Sequence, residues 1–361
     1  MSTLLEGLLD KADNEETFII SAHDFVNLKL LNENSDTTFF TGAGFSKAWN
    51  DRYPLGSGLF SIDFDDSEDL NFISLADSLH IQKPNKDLPR REYDDACYDY
   101  FCEIKFHLDI FKRYPSLLPS YLDSTLIKSL ENEMKKFIVD RFTTEVSETE
   151  FRLDSTENIN QNLVDFFKVV SDSSKSLSFI STNYDYIIEK IFASFHSGVF
   201  CRGIVNRSEF DGKYWQGNGI PLYKINGGFE VHCDAHGFYL DYEEKELVPN
   251  IILPSKEQNY DDKYFKSVFL KSSGKLRESN KLVFIGYSLP EEDLTIRFLL
   301  KSFIDCSSDQ KEIFIISKDT EGALAIREKV ANLFPNLAKN DAIWAVEGSF
   351  IDVCKVVEIH D

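Results

Sequence analysis

The feature that most narrows the fold of this chain is a series of short, continuous apolar runs, most of which end in turn-forming residues. Thr37 to Thr41 (TTFFT) leads into GAGFS, Leu177 to Ser181 (LSFIS) into TNYD, and Lys281 to Ile285 (KLVFI) into GYSLPEED. Glu312 to Ile316 (EIFII) leads into SKDTEG, Ile343 to Val346 (IWAV) lies near the C-terminus, and Leu222 to Ile225 precedes Asn226-Gly227-Gly228. Runs that lack apolar-polar alternation read as strands buried on both faces.

Helical periodicity fills the gaps between them. Ile159, Leu163, Phe166, Phe167 and Val170 recur at helical spacing before the second run, and Ile187, Ile188, Ile191, Phe192 and Phe195 after it. Ile296, Leu299, Leu300 and Phe303 follow the KLVFI run, with Pro290 suited to a first helical turn. Alternation of this kind predicts an α/β fold, a Rossmann-like doubly wound, mainly parallel sheet. Residues from about 58 to 150 differ in texture: they are rich in Tyr, Phe, Lys and Asp, and lack strand-plus-glycine units. They read as a helical insertion in a single domain spanning 1–361.

Composition excludes several classes of function. The 39 Lys and Arg against 61 Asp and Glu leave a net charge of −22, which repels phosphate backbones and argues against direct nucleic-acid binding. No run approaches the roughly 18 apolar residues of a membrane span. The N-terminal MSTLLEGLLDKADNEE lacks the basic start and apolar core of a signal peptide and reads as a short amphipathic helix. Cys97, Cys102, Cys201, Cys233, Cys306 and Cys354 form no C-x-x-C pair, as suits a reduced, cytoplasmic protein.

Ligands of doubly wound sheets sit at the carboxyl ends of the strands, where three candidate motifs fall. In Gly42-Ala43-Gly44-Phe45-Ser46, small residues let the backbone approach a diphosphate, and the following helix N-terminus supplies N–H donors. The plain alternative is a tight strand-to-helix turn, and Lys47 stands where the dehydrogenase fingerprint has its third glycine. In Ser181-Thr182-Asn183-Tyr184-Asp185, an amide could orient a ribose hydroxyl or water and a carboxylate could steady a developing sugar cation; the alternative is helix capping. In Gly286-Tyr287-Ser288-Leu289-Pro290, Gly286 would admit a nucleotide and Ser288 bond a ribose or phosphate, or the segment only caps the next helix.

Taken in this order, the three motifs resemble the sirtuin-like NAD-binding domain, particularly its bacterial anti-phage branch, over residues 37–56, 177–195 and 281–303. The resemblance implies that Gly42, Ala43, Gly44 and Ser46 hold the NAD diphosphate, that Asn183 and Asp185 lie at the nicotinamide ribose, and that Gly286 and Ser288 contact the adenosine. Pro54 to Leu59 is similar to the segment that covers the cofactor. Two features depart from the family. The zinc ribbon of protein deacylases is missing, so no zinc is expected. The K-x-H-G histidine is replaced, since the chain reads Lys224-Ile225-Asn226-Gly227. His232 and His236 follow, and His232 is the first choice of base, although both could simply occupy a hairpin. With Cys233 they lack a fourth metal ligand.

The activity implied is hydrolysis of NAD, as substrate, to nicotinamide and ADP-ribose by an anti-phage effector that depletes NAD. The alternatives are a non-catalytic NAD or ADP-ribose sensor and an NAD-dependent deacylase. The chain has no G-x-x-x-x-G-K-[ST] motif or sensor repeat of its own. A separate partner is therefore expected, and the resemblance implies a HerA-type ATPase or an Argonaute-like protein, together with homo-oligomer formation.

Overall fold

The apolar runs assemble into one sheet. The computed structural model describes residues 18–31, 35–65, 69–146, 153, 159–195, 200–206, 209–210, 215, 219–244, 246–258, 260–304 and 311–357. Besides a short separate pair, Ile204–Asn206 with Glu209–Phe210, the strands in chain order are β1 (Ile19–Ile20), β2 (Asp36–Thr41), β3 (Ser176–Ser181), β4 (Leu222–Lys224), the hairpin β5 (Val231–Asp234) and β6 (Gly237–Leu240), β7 (Lys281–Ile285), β8 (Glu312–Ser317) and β9 (Ile343–Ser349). Seven of them form a parallel sheet in the order β1-β9-β8-β7-β2-β3-β4. The chain winds outward from β2 through β3 to β4, then returns to β7 on the other side of β2 and winds out again. The switch point between β2 and β7 is therefore central, and the three strands that carry the candidate motifs are neighbours.

Lack of alternation in the strands now has its cause. Phe179, Phe39, Val283 and Phe314 align across β3, β2, β7 and β8 and feed one core, while Ile180, Phe40, Phe284, Ile315 and Ala345 align one residue further on and feed the other. The first core is covered by α1 (Ala43–Trp49), α5 (Gln161–Ser173) and α6 (Ile187–Ala193); the second by α7 (Lys263–Glu278), α8 (Leu294–Leu300) and α9 (Thr320–Leu333). This is the doubly wound α/β arrangement expected from the sequence. Between α1 and α5, the chain forms α2 (Asn71–Ser78), α3 (Arg90–Arg113) and α4 (Ser124–Val146). Glu131 of α4 pairs with Lys105 and Lys112 of α3, and Phe142 lies against Phe229, with ring centroids 5.1 Å apart.

Two details differ from the sequence reading. The edge strand Ile19–Ile20 was not foreseen, and α8 begins at Leu294, so Pro290 stands in a loop rather than in a first helical turn. Leu289 has a φ of 49° and a fully buried side chain, which turns the chain before the helix can start. The N-terminal segment read as an amphipathic helix falls outside the described residues, as does Cys306. Among the described residues no helix is long and apolar enough to cross a membrane.

Glycines give a direct test of this packing. Gly286 has a φ of 63°, and a Cβ there would collide with the backbone of Gly44 and Phe45. Gly286→Ala should cost at least about 2 kcal/mol in chemical denaturation. Gly274, inside α7 with open space around its Cα, should behave oppositely, Gly274→Ala stabilising by about 0.5–1 kcal/mol.

Candidate active site

At the carboxyl edge, the turns after β2 and β7 are bonded to each other through their backbones. Gly42 N–H donates to Ile285 O at 3.1 Å and Gly44 N–H to Gly286 O at 2.9 Å. A Cβ on Gly42 would stand 2.7 Å from Gly286 O, and one on Gly44 would stand 2.7 Å from Gly286 Cα. Contact between the two turns thus accounts for all three glycines. It also corrects the expectation of a comb of free donors at the helix start. Gly42 and Gly44 spend their N–H groups on the neighbouring strand and turn, and Phe45 N–H bonds Gly42 O. Ala43 N–H carries no such bond among the described residues.

The turn after β3 locks onto the same place. Thr182 N–H donates to Thr41 O at 3.1 Å, and Asn183 Nδ2 donates both to Gly42 O and to Ser46 Oγ, each at 2.9 Å. Ser46 in turn donates its hydroxyl to Asp185 Oδ2 at 2.6 Å, while Asp185 Oδ1 accepts Ile187 N–H at 3.1 Å. The amide nitrogen of Asn183 is therefore fixed, and its carbonyl oxygen has no partner among the described residues. Half-buried Asn183 can present that oxygen to a bound molecule. Asp185 cannot steady a sugar cation directly, as the sequence suggested: it is buried, with both oxygens engaged. It is a cap and an acceptor for Ser46. Burial raises its carboxyl, against the Ser46 hydrogen bond and the charge of Lys224.

Asn226, where the resemblance expects histidine, lies beside these residues. Its Nδ2 donates to Thr182 O at 3.3 Å, and its Oδ1 accepts from Tyr260 at 3.1 Å. The GYSL turn contributes Gly286 to the contact above, whereas Ser288 is exposed, its carbonyl accepting from Lys329 at 3.2 Å. Tyr287 donates to Asp293 Oδ2 at 2.6 Å, and burial raises the Asp293 carboxyl despite that bond.

His232 is not brought to this edge. It sits on β5, buried against Tyr239 with ring centroids 5.4 Å apart, and burial lowers its imidazole below the ordinary range. It lines a cleft of about 980 Å³ with Phe111, Ile127, Lys135, Tyr239 and Leu247, whose walls include none of Ser46, Asn183 and Asp185. His236 is exposed at the hairpin turn, its backbone N–H bonded to Asp234 Oδ1. Proximity in sequence suggested the base, but the chain after Gly227-Gly228 sets Phe229 N–H on Tyr184 O and Glu230 on Lys224, while His232 lines the separate cleft. No group of His, Cys, Asp and Glu among the described residues could hold a metal ion.

An ion cluster that the sequence reading did not assemble is buried beneath the turn: Glu189, Arg202, Lys224 and Glu230. Lys224 Nζ reaches Asp185 O at 2.6 Å, Glu189 Oε1 at 2.8 Å and Glu230 Oε2 at 3.0 Å. Arg202 pairs with Glu230 at 2.6 Å and with Glu189 at 3.2 Å. Burial alone would raise Glu230, but Lys224 and Arg202 outweigh it and hold its carboxyl below the usual range.

Part of the chain is similar to known proteins. Residues 177–337 match the family model of the SIR2-like domain. No curated protein sequence matches. Among solved structures, a Sir2 variant with deacetylated p53 peptide and 3'-O-acetyl ADP ribose aligns at 12% identity, covering 92% of this chain and 96% of its own, with a TM-score of 0.42. Sir2 with p53 peptide and NAD+ aligns at 11% identity over 92% and 95%, with a TM-score of 0.39. Sir2Tm bound to a propionylated peptide gives the same figures, 11% identity, 92% and 95% coverage and a TM-score of 0.39.

Ser46 supplies the test of this arrangement. Ser46→Ala removes the link between Asp185 and Asn183 but leaves Asn183 its bond to Gly42. Activity at this site should fall about 10-fold to 100-fold, while Asn183→Ala should cost about 100-fold to 1,000-fold. Equal losses for the two variants in steady-state rates would mean that Asn183 does not act beyond what Ser46 holds.

Proposed function

We propose that this protein cleaves the bond between nicotinamide and ribose in NAD, releasing nicotinamide and ADP-ribose. The observation that carries the reading is the convergence of three turns on adjacent parallel strands, at the switch point, around one fixed asparagine. The SIR2-like match over 177–337 and the motif resemblance support it. As C–N cleavage proceeds, the ribose acquires oxocarbenium character. The free carbonyl oxygen of Asn183 orients the attacking water or a ribose hydroxyl, and Gly42, Ala43 and Gly44 border the diphosphate, with Ala43 N–H as donor. Gly286 lines the adenosine side, next to exposed Ser288.

A non-catalytic NAD or ADP-ribose sensor is the second reading, favoured by Asn226 at the histidine position. Purified protein together with its partner, incubated with NAD with and without an acetylated peptide, separates the readings by nicotinamide release. Release without peptide supports hydrolysis, release only with peptide supports a deacylase, and binding without release supports the sensor. The biological reading is an anti-phage effector that depletes NAD in the cytoplasm, forms a homo-oligomer and is controlled by a HerA-type ATPase or Argonaute-like partner. Silence of the isolated chain and acceleration by that partner are the expected results; equal rates with and without it would remove the partner from the scheme.

Titration gives a second test. Ser46, Asn183 and Asn226 do not ionise near neutrality, and His232 lines another cleft. The rate should stay flat between about pH 6 and 8, without the limb near about 6.5 that a histidine base produces. His232→Ala should leave the cleavage rate within about 3-fold, since general-base loss costs about 100-fold or more. A limb near 6.5 that disappears in His232→Ala would restore the histidine as the base.

A further inference from the structure

The Lys224 side chain is only 1% exposed; its ammonium donates hydrogen bonds to Asp185 O and Glu230 Oε2 and forms an ion pair with Glu189 Oε1. It also lies 5.4 Å from the Tyr186 ring centroid. Asp185 O needs that donor because of the local chain path. Helix α6 begins only at Ile187, after a turn in which Tyr184 and Asp185 belong to neither strand nor helix. A buried carbonyl left there without a partner would be costly, and the turn could relax to find one.

We infer that Lys224 is a positioning residue for NAD cleavage, its ammonium fixing the Asp185 carbonyl and, through Asp185 and Ser46, the orientation of Asn183. The inference rests on the NAD-cleavage reading. Glu189 and Glu230 hold the ammonium in place, and Arg202 pairs with both carboxylates from the opposite side. Four segments are tied together in this way: β4, the turn after it, the start of α6 and the stretch around residue 202. Charge balance alone does not require a contact to Asp185 O. Two cations and two carboxylates would balance with any internal arrangement, and replacement of such a group by apolar side chains is often neutral or stabilising. A hydrogen bond to a main-chain oxygen has a direction, and what it sets is the angle at which the TNYD turn leaves the sheet.

Two variants separate positioning from charge balance. Lys224→Met/Glu189→Gln removes one cation and one carboxylate, leaving Arg202 with Glu230 and Asp185 O without its donor. Glu189→Gln alone keeps the Lys224 contacts to Asp185 O and Glu230. In the double variant, kcat for nicotinamide release should fall at least about 10-fold, with KM and NAD affinity within about 3-fold of wild type; Glu189→Gln should turn over normally. Amide hydrogen exchange across residues 182–187 reads the same restraint without turnover and should quicken in the double variant only. Wild-type rate and exchange in the double variant would overturn the inference, as would equal losses in both variants, because the effect would then follow the charge cluster. If the double variant does not fold, Lys224→Arg replaces it. Unchanged exchange and kcat in Lys224→Arg, whose fork cannot reproduce the ammonium tripod, would likewise overturn the assignment, and a selective loss of kcat would uphold it. Should Asn183→Ala retain full rate, or wild type release no nicotinamide even with its partner present, the NAD-cleavage reading fails, and the exchange result alone decides whether Lys224 holds the turn.

Discussion

Everything at the carboxyl edge depends on how closely the turn after β2 approaches the turn after β7. Main chain touches main chain there: Gly44 N–H bonds Gly286 O, and no Cβ intervenes on either side. Adding a methyl to any of the three glycines would push the turns apart. Such a shift would move Gly42 O, the oxygen that accepts from Asn183, and with it the orientation of the amide. The glycines therefore act first on the protein and only through it on a ligand. A G-x-G signature can be satisfied by either demand, and here the structural demand is explicit.

Beneath that contact the site is a polar relay running from a half-buried group into buried ones. Asn183 is half-buried, and Ser46, Asp185, Lys224, Glu189 and Glu230 are all buried. Each member spends its polar groups on the next, so the exposed end inherits the rigidity of the buried end. The cost is desolvation of four charges, which the mutual pairing of two cations with two carboxylates offsets.

The sheet was legible in the sequence because strands buried on both faces cannot alternate; runs such as KLVFI and EIFII leave little else to fold into. The three motif turns followed, since each sits where such a run stops. Ile19–Ile20 was not legible: two residues carry no periodicity, and their pairing with β9 is decided by tertiary contacts. The ion cluster escaped for a different reason. Glu189, Arg202 and the Lys224/Glu230 pair come from three separate stretches, and isolated charges read as surface until the fold brings them together. Asp185 was recognised as a site residue but assigned to the substrate, because a sequence cannot show that both carboxylate oxygens are already taken. His232 was attractive for its nearness to Asn226 in sequence, yet its ring packs on Tyr239 and lines a different cleft.

Rigidity of this kind has a consequence for chemistry at the edge. A transition state with charge developing on a ribose is stabilised most by dipoles already aimed before the charge appears, because reorienting them during the reaction would consume part of the gain. Apolar packing cannot aim a dipole, since dispersion has little directional preference. Two different constraints divide that task here. Glycine contact sets the distance between the turns, and the polar relay from Lys224 to Asn183 sets the angle of the amide. A ligand arriving at this edge meets an asparagine oxygen whose position the protein has determined in advance. Histidine is not needed to provide that, and Asn226, itself held by Thr182 O and Tyr260, extends the same non-titrating polar surface along the end of β4.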